Sequence, residues 1–203
     1  MEFFNPRNDI ELTRHRLSHW SQGRVPVFVT FRLSDSLPKE VYEAWLEDRM
    51  AFILANPLPW DDEIETAFHS QFSVRIDEQL DAAHGCCALR DPRVAEIVAE
   101  RLQHFDGTGY QLLNFVVMPN HVHVLFTLEE GRTLPETLKG WKGVSSRLIH
   151  REGLCDLNPF WQPDYFDRLI RGPEHLEKTY RYIQTNPAMA GLTSGFVCWE
   201  AAL

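Results

Sequence analysis

The spacing of apolar residues changes several times along the chain, and each change predicts an element. Pro26-Val27-Phe28-Val29-Thr30-Phe31-Arg32-Leu33 is β-branched and aromatic, which predicts a strand. Leu37-Pro38 opens a stretch in which Val41, Trp45 and Met50 or Phe52 recur at helical spacing, to about Ile53. Asn56-Pro57-Leu58-Pro59-Trp60 ends that helix. The acidic run from Asp61 to Glu65 leads into an apolar stretch of no clear period, and His84-Gly85-Cys86-Cys87 reads as a turn. Asp91-Pro92 is a helix start, with Asp91 as cap and Pro92 at the first helical position, where a missing N–H costs nothing. Val94, Ile97, Val98 and Leu102 form one face of that helix to about Phe105. Asp106-Gly107-Thr108-Gly109 breaks the pattern. Residues 110–118 and 121–127 are then strand-like and joined only by Pro119-Asn120, which predicts an antiparallel hairpin. Residues 135–150 and 173–185 read as helices, the second stopping near Pro187. The aromatic-rich stretch 158–170 predicts a short strand or a loop. His15 and His19 are four apart on a possible N-terminal helix and read as structural or surface groups.

The order strand, helices, hairpin, helix, strand, helix predicts an α+β fold, an antiparallel sheet with helices packed on it. A length of 203 residues suits one domain, 1–203, and the stretch 49–80 reads as a helical elaboration on it. No run approaches the roughly 20 apolar residues of a membrane helix. The first nine residues lack a basic start followed by an apolar block, so neither a signal peptide nor a membrane association is expected. Four scattered cysteines make no disulfide framework and point to a reducing, cytoplasmic setting. No extra nucleic-acid-binding tail is expected beyond Trp199.

Charge adds a constraint. The net charge is −9, and the first 130 residues hold 21 of the 29 acids but only 11 of the 20 lysines and arginines. That total argues against non-specific polyanion binding. The remaining residues are nearly balanced. The run from Arg132 to Arg151, with Lys139, Lys142 and Arg147, permits either a phosphate-facing surface or a solvated helix face.

The most informative chemistry is His121-Val122-His123. Side chains two apart on a strand share a face, so both imidazoles project together and can offer two nitrogens to one divalent ion. The same pair equally describes two surface histidines on an edge strand. Tyr182 and Asn186 lie one helical turn apart, with Lys178 a turn before them. A phenol between a cation and an amide suits a nucleophile that needs activation, because a free phenol titrates near ~10. It equally suits a core tyrosine with its hydroxyl at the rim. His84-Gly85-Cys86-Cys87 offers soft ligands, but no second C-x-x-C completes a zinc site.

The string Val117-Met118-Pro119-Asn120-His121-Val122-His123-Val124-Leu125, followed far downstream by Tyr182-Ile183-Gln184-Thr185-Asn186-Pro187, resembles the HUH single-tyrosine transposases, and within them the REP-associated tyrosine transposases. Phe28-Val29-Thr30-Phe31-Arg32-Leu33 and the segment from Phe160 to Arg171 support the resemblance, which spans about residues 20–195. It implies a ferredoxin-like antiparallel sheet. It also implies Mg²⁺ or Mn²⁺ held by His121, His123 and Asn186, with Tyr182 as nucleophile. The implied reaction is cleavage and transfer of single-stranded DNA through a 5′-phosphotyrosine, at palindromic hairpins, by a monomer or homodimer. DNA contacts would fall to Lys142, Arg147, Trp161, Arg168, Arg171 and Lys178, with Trp141 and Tyr165 as further stacking candidates, although both tryptophans equally suit core packing. The acidity of the chain departs from the family expectation. A descendant that binds hairpin DNA or RNA without cutting it is the alternative. A small-molecule H-x-H metallohydrolase ranks last, since 203 residues is short for a (β/α)₈ barrel.

Overall fold

The fold is taken from a computed structural model, which describes residues 1–5, 8, 11–14, 18–57, 60 and 62–201; for 11–14, 18–20, 62 and 65 only the backbone is described. A two-stranded ribbon, β1 (Glu11–Arg14) and β2 (Ser18–Ser21), comes first. His19 therefore lies on a strand rather than on the possible N-terminal helix, and His15 lies outside the described residues.

The main sheet has five strands in the order β6-β3-β5-β4-β7, every pair antiparallel. These are β3 (Val27–Arg32), β4 (Tyr110–Val117), β5 (His121–Leu128), β6 (Phe166–Leu169) and β7 (Val197–Glu200). Without β7, the order of first, third and second strands with the fourth outside the first is the ferredoxin-like arrangement. Its two crossover helices are α4 (Pro92–Gln103) and α5 (Leu134–Arg151). The sheet and its helices are those the residue pattern predicts, with ends within a few positions. The Asp91 carboxylate accepts the Arg93 N–H at 2.9 Å and caps α4 as expected. β7 is an addition the pattern does not reveal, because Val197-Cys198-Trp199-Glu200 is too short to show a period.

Strand alternation divides the sheet into two chemically different faces. Val27, Val29 and Phe31 of β3 and Val122, Val124 and Phe126 of β5 point to one face. There they are buried against Val98 and Leu102 of α4 and Leu138, Trp141 and Ile149 of α5. Phe28, Thr30 and Arg32 of β3 alternate with these, as do His121 and His123 of β5, and so point to the other face. That face is covered by α6 (Pro173–Met189) and by three helices inserted between β3 and α4. α6 runs through Pro187 rather than stopping before it. A proline so near a helix end sacrifices only one backbone bond, and the Ala190 and Leu192 N–H groups still close on Asn186 and Pro187.

The inserted helices are α1 (Lys39–Ala55), α2 (Asp62–Phe68) and α3 (Val74–Asp81), the last two joined by a π-helical turn at His69–Ser73. The insertion thus begins at residue 39, ahead of the 49–80 elaboration expected. α1 buries Tyr42 and Trp45 rather than Val41, while Met50 is exposed. The insertion has its own apolar cluster, Tyr42, Trp45, Phe68, Phe72, Ile76 and Leu80, which meets the sheet through Phe166 of β6. Leu58, Pro59 and Asp61 lie outside the described residues. Among the described residues no helix is long and apolar enough to cross a membrane, and all four cysteines carry free thiols.

Leu102 is fully buried where α4 meets the sheet. Leu102→Ala is expected to lower the unfolding free energy by about 2–5 kcal/mol in urea titration, the usual cost of emptying such a site. A change under about 1 kcal/mol would show that α4 is not packed as described.

Candidate active site on the second sheet face

The tight turn between β4 and β5 sets the position of both histidines. The Met118 N–H donates to the His121 carbonyl at 2.8 Å across Pro119-Asn120. The turn carbonyls are held in turn by the N–H groups of Leu33 and Leu89, at 2.9 and 3.1 Å. His121 and His123 emerge from it side by side, both wholly buried, with their Nε2 atoms 3.0 Å apart.

The partners of the outer nitrogens fix the protonation pattern. The Asn120 amide donates through Nδ2 to the His84 carbonyl at 3.2 Å, so its Oδ1 is the atom that meets His121 Nδ1 at 2.7 Å. Oδ1 can only accept, so His121 Nδ1 carries the proton. The turn that supplies the His84 carbonyl needs Gly85, whose φ is +85° and where a Cβ would collide with the Asp35 backbone. Burial holds His121 neutral, its pKa pushed down to about 3, so its Nε2 is a lone pair facing His123. His123 is also held well below its ordinary pKa, first by burial and then by the neighbouring His121. Its Nδ1 lies 2.7 Å from the Thr30 hydroxyl, which can donate or accept. With Thr30 accepting, both Nε2 atoms turn lone pairs toward the same point. Two lone pairs 3.0 Å apart repel unless a proton or a cation lies between them. With Thr30 donating instead, His123 Nε2–H donates to His121 Nε2; with Thr30 accepting, the donor set fits a divalent cation, the outer nitrogens oriented by an amide and a hydroxyl as ligating histidines require.

α6 brings the remaining groups. Its fixed position depends on Asn114, turned to this face beside a β-bulge between Leu112 and Asn114, whose amide donates to the Tyr180 carbonyl at 2.9 Å. Tyr182 then lies with its hydroxyl 3.5 Å from His123 Nε2, its ring edge-on to both His123 and Phe28. One turn on, the buried Asn186 donates through Nδ2 to the Tyr182 hydroxyl at 3.2 Å. Asn186 Oδ1 is buried with no hydrogen-bond partner among the described residues, an orphaned acceptor suited to a cation. Tyr180 points away, toward Glu200 of β7 at 3.2 Å.

The insertion contributes two carboxylates that sequence reasoning missed. Asp77 and Asp81 of α3 are one turn apart, and they face Tyr182 and Asn186 respectively. Burial pushes Asp77 up to about 7. The Tyr182 phenol is held above its ordinary pKa, first by burial and then by Asp77 and Asp81. Only their place in the fold marks these acids, since nothing in their local sequence separates them from surface acids. Among the described residues no group of three or more His, Cys, Asp and Glu side chains is arranged to hold a metal, so a cation here would depend on the amide and on the substrate as well.

A cleft of about 780 Å³ opens beside Tyr182, between α1–α3 and the β6–α6 side of the sheet. Arg168, Arg171 and Lys178, three of the residues expected as DNA contacts, line it, together with Arg49, Trp45 and Phe166. Arg49 was not anticipated. It stacks over Trp45 and Phe68, at 5.8 and 5.3 Å from the ring centres. Three of the expected DNA contacts are placed elsewhere. Lys142 spends its ammonium on the carbonyls of Gln162, Pro163 and Asp164, and burial lowers it to about 8, so it fastens a loop to α5. Trp161 is buried against Phe31 and donates to the Ser145 hydroxyl at 3.0 Å. Arg147 is exposed, but on α5, behind the other sheet face. The two stacking candidates are also buried: Trp141 donates to the Tyr110 hydroxyl at 2.8 Å, and Tyr165 packs in the core with its ring at the cleft wall.

Residues 89–186, which hold β4, β5, both histidines and the tyrosine helix to Asn186, match the family model of the IS200-like transposases. The REP-associated tyrosine transposase of Escherichia coli (strain K12) is 27% identical over 90 residues, 44% of this chain and 52% of that protein. The chain thus matches about half the length of this curated relative. A solved REP-associated tyrosine transposase bound to a REP hairpin is similar over 86% of this chain and 75% of that one, with 14% identity and a TM-score of 0.45.

Burial of two neutral imidazoles sets the pH response of the fold. Both folded-state pKa values lie below the ordinary value of about 6.5, so below that pH the unfolded chain binds protons the folded chain refuses. Asp77 opposes this, because its raised pKa lets the folded state keep a proton that the unfolded state releases. Two imidazoles outweigh one carboxyl. In EDTA, Tm is expected to fall as pH is lowered from 7 to 5, and the double variant His121→Gln, His123→Gln is expected to lose this fall. An identical acid slope in the variant would mean that the imidazoles are not buried neutral.

Proposed function

We propose that this chain cuts and rejoins single-stranded DNA at a hairpin, with Tyr182 as the nucleophile and Mg²⁺ or Mn²⁺ held by His121, His123 and Asn186. The observation that carries the reading is the approach of the Tyr182 hydroxyl to within 3.5 Å of His123 Nε2, the atom that faces His121 Nε2. Nucleophile and cation donors then address one phosphate. The hairpin as substrate is suggested by the solved REP-associated tyrosine transposase, which is bound to a REP hairpin.

A bound divalent cation would supply charge neutralisation at a non-bridging phosphate oxygen. The protein residues would do the rest. Arg49, Arg168, Arg171 and Lys178 attract the backbone into the cleft, and the rings beside them offer surfaces for unpaired bases. The Asn186 N–H holds the Tyr182 oxygen in place for in-line attack. That oxygen bonds to phosphorus as the bond from phosphorus to the 3′ oxygen of the upstream nucleotide breaks. The phenolic proton leaves to solvent or a nearby base, and the departing oxygen takes up a proton to become a free 3′-hydroxyl. One phosphodiester is exchanged for another, so a second 3′-hydroxyl can reverse the step without ATP. The burial and acidity that hold the phenol protonated favour a second reading, a protein that binds such hairpins without cutting them.

A denaturing gel separates the two. Wild-type protein with a labelled single-stranded hairpin and Mn²⁺ is expected to give a protein–DNA adduct. Tyr182→Phe is expected to bind the hairpin normally and give none. Adduct from Tyr182→Phe would reassign the nucleophile, and binding without adduct from the wild type would favour the second reading.

A further inference from the structure

A cavity of about 330 Å³ lies on the sheet face opposite Tyr182, between the end of α4, the start of β4 and the first half of α5. Small-ligand sites begin at about this size. Its floor is the buried pair Tyr110 and Trp141. The indole donates to the Tyr110 hydroxyl at 2.8 Å, and that hydroxyl donates to the Leu102 carbonyl at 2.7 Å, so the floor keeps no polar hydrogen for a ligand. One wall is bare backbone at Gly140, where an added Cβ would meet nothing within 4 Å. The rim is cationic. Arg132 is exposed and, among the described residues, makes no ion pair. The Arg101 side chain is 24% exposed and reaches only Glu100, at 3.8 Å, while its Nε–H is buried with no hydrogen-bond partner among the described residues. Glu136 is the one acid in the lining, and its carboxylate is occupied by the Thr133 hydroxyl at 2.8 Å. The Phe105 ring is half exposed, and it stands beside Arg132 across Gly109: a Cβ there would lie 3.2 Å from Phe105 Cβ and 3.8 Å from Arg132 Nε.

A buried guanidinium N–H without an acceptor, beside a second unpaired guanidinium, calls for an anion with more than one oxygen. The apolar volume left beyond that anion calls for a flat ring. We propose that this cavity is a subsite for one nucleotide, its phosphate on Arg101 and Arg132 and its base against Phe105 above the Tyr110–Trp141 floor. The occupant is a nucleoside monophosphate unit, free or as an unpaired residue of a strand. The site lies behind the sheet from the histidine pair and stands whether or not Tyr182 is a nucleophile.

The Trp141 indole N–H resonance reports on the floor, and the test follows it in the full chain by ¹⁵N NMR. Thymidine monophosphate is expected to shift it saturably, and thymidine or inorganic phosphate to bind about 10-fold more weakly or less, as loss of either half of the contacts implies. Gly140→Leu fills the cavity with a better helix former and is expected to abolish the shift. Arg132→Gln, at an exposed position outside any helix, is expected to weaken it about 10-fold and serves where the leucine variant fails to fold. A short oligothymidylate that shifts the resonance at lower concentration than the mononucleotide makes the occupant part of a strand; one that leaves it unmoved makes it a free nucleotide. No saturable shift with either, phosphate alone binding as tightly as the nucleotide, or full affinity in both variants would overturn the proposal.

Discussion

Two imidazole rings packed edge to edge on a dry sheet face, their inner nitrogens 3.0 Å apart, constrain everything around them. Buried histidines are tolerated when each nitrogen has a partner, and here the outer ones do. An amide fixes the proton on one ring, while a hydroxyl adapts to the other. The inner nitrogens are left to each other, to share either the proton of a His123 Nε2–H or, with Thr30 accepting, a cation. The rest of the face follows from that demand: a two-residue turn that starts the strand at the right residue, a bulge that turns Asn114 toward α6, and α6 itself with its phenol and amide.

The two faces of the sheet divide the labour. One carries Val, Phe and Trp side chains packed under α4 and α5 and provides the rigidity. The other gives up part of its apolar area to histidine, threonine and arginine and is closed by elements outside the ferredoxin-like unit. Two of the expected DNA contacts illustrate the split. Lys142 and Trp161 serve the rigid side, tying the 162–164 loop and the Phe31 ring into the core. The cations that do gather at the cleft come from β6, α6, the link between them and α1.

Much of this was legible in the sequence because it is written in local periods. The H-x-H pair sits on a strand whose alternation and tight preceding turn define its face, and Tyr182 and Asn186 are four apart on a helix. The ferredoxin-like core follows from five elements with clear ends. What was not legible depends on distant contacts. Asp77 and Asp81 are two acids in a stretch without a firm period, and only folding brings them to α6. Lys142 looks like any exposed basic residue until the loop at 162–164 returns to meet it. β7 is four residues long and gains its strand character from pairing with β4. The end of α6 was misplaced because a proline rule for helix interiors was applied in a last turn, where it has little force.

The proposed chemistry requires one divalent ion shared between the two imidazoles beside the tyrosine. The most direct measurement is an anomalous-difference map from crystals of the protein grown with Mn²⁺. A single strong peak is expected between His121 Nε2 and His123 Nε2. A map with no peak there at millimolar Mn²⁺, with the two nitrogens still in contact, would contradict it.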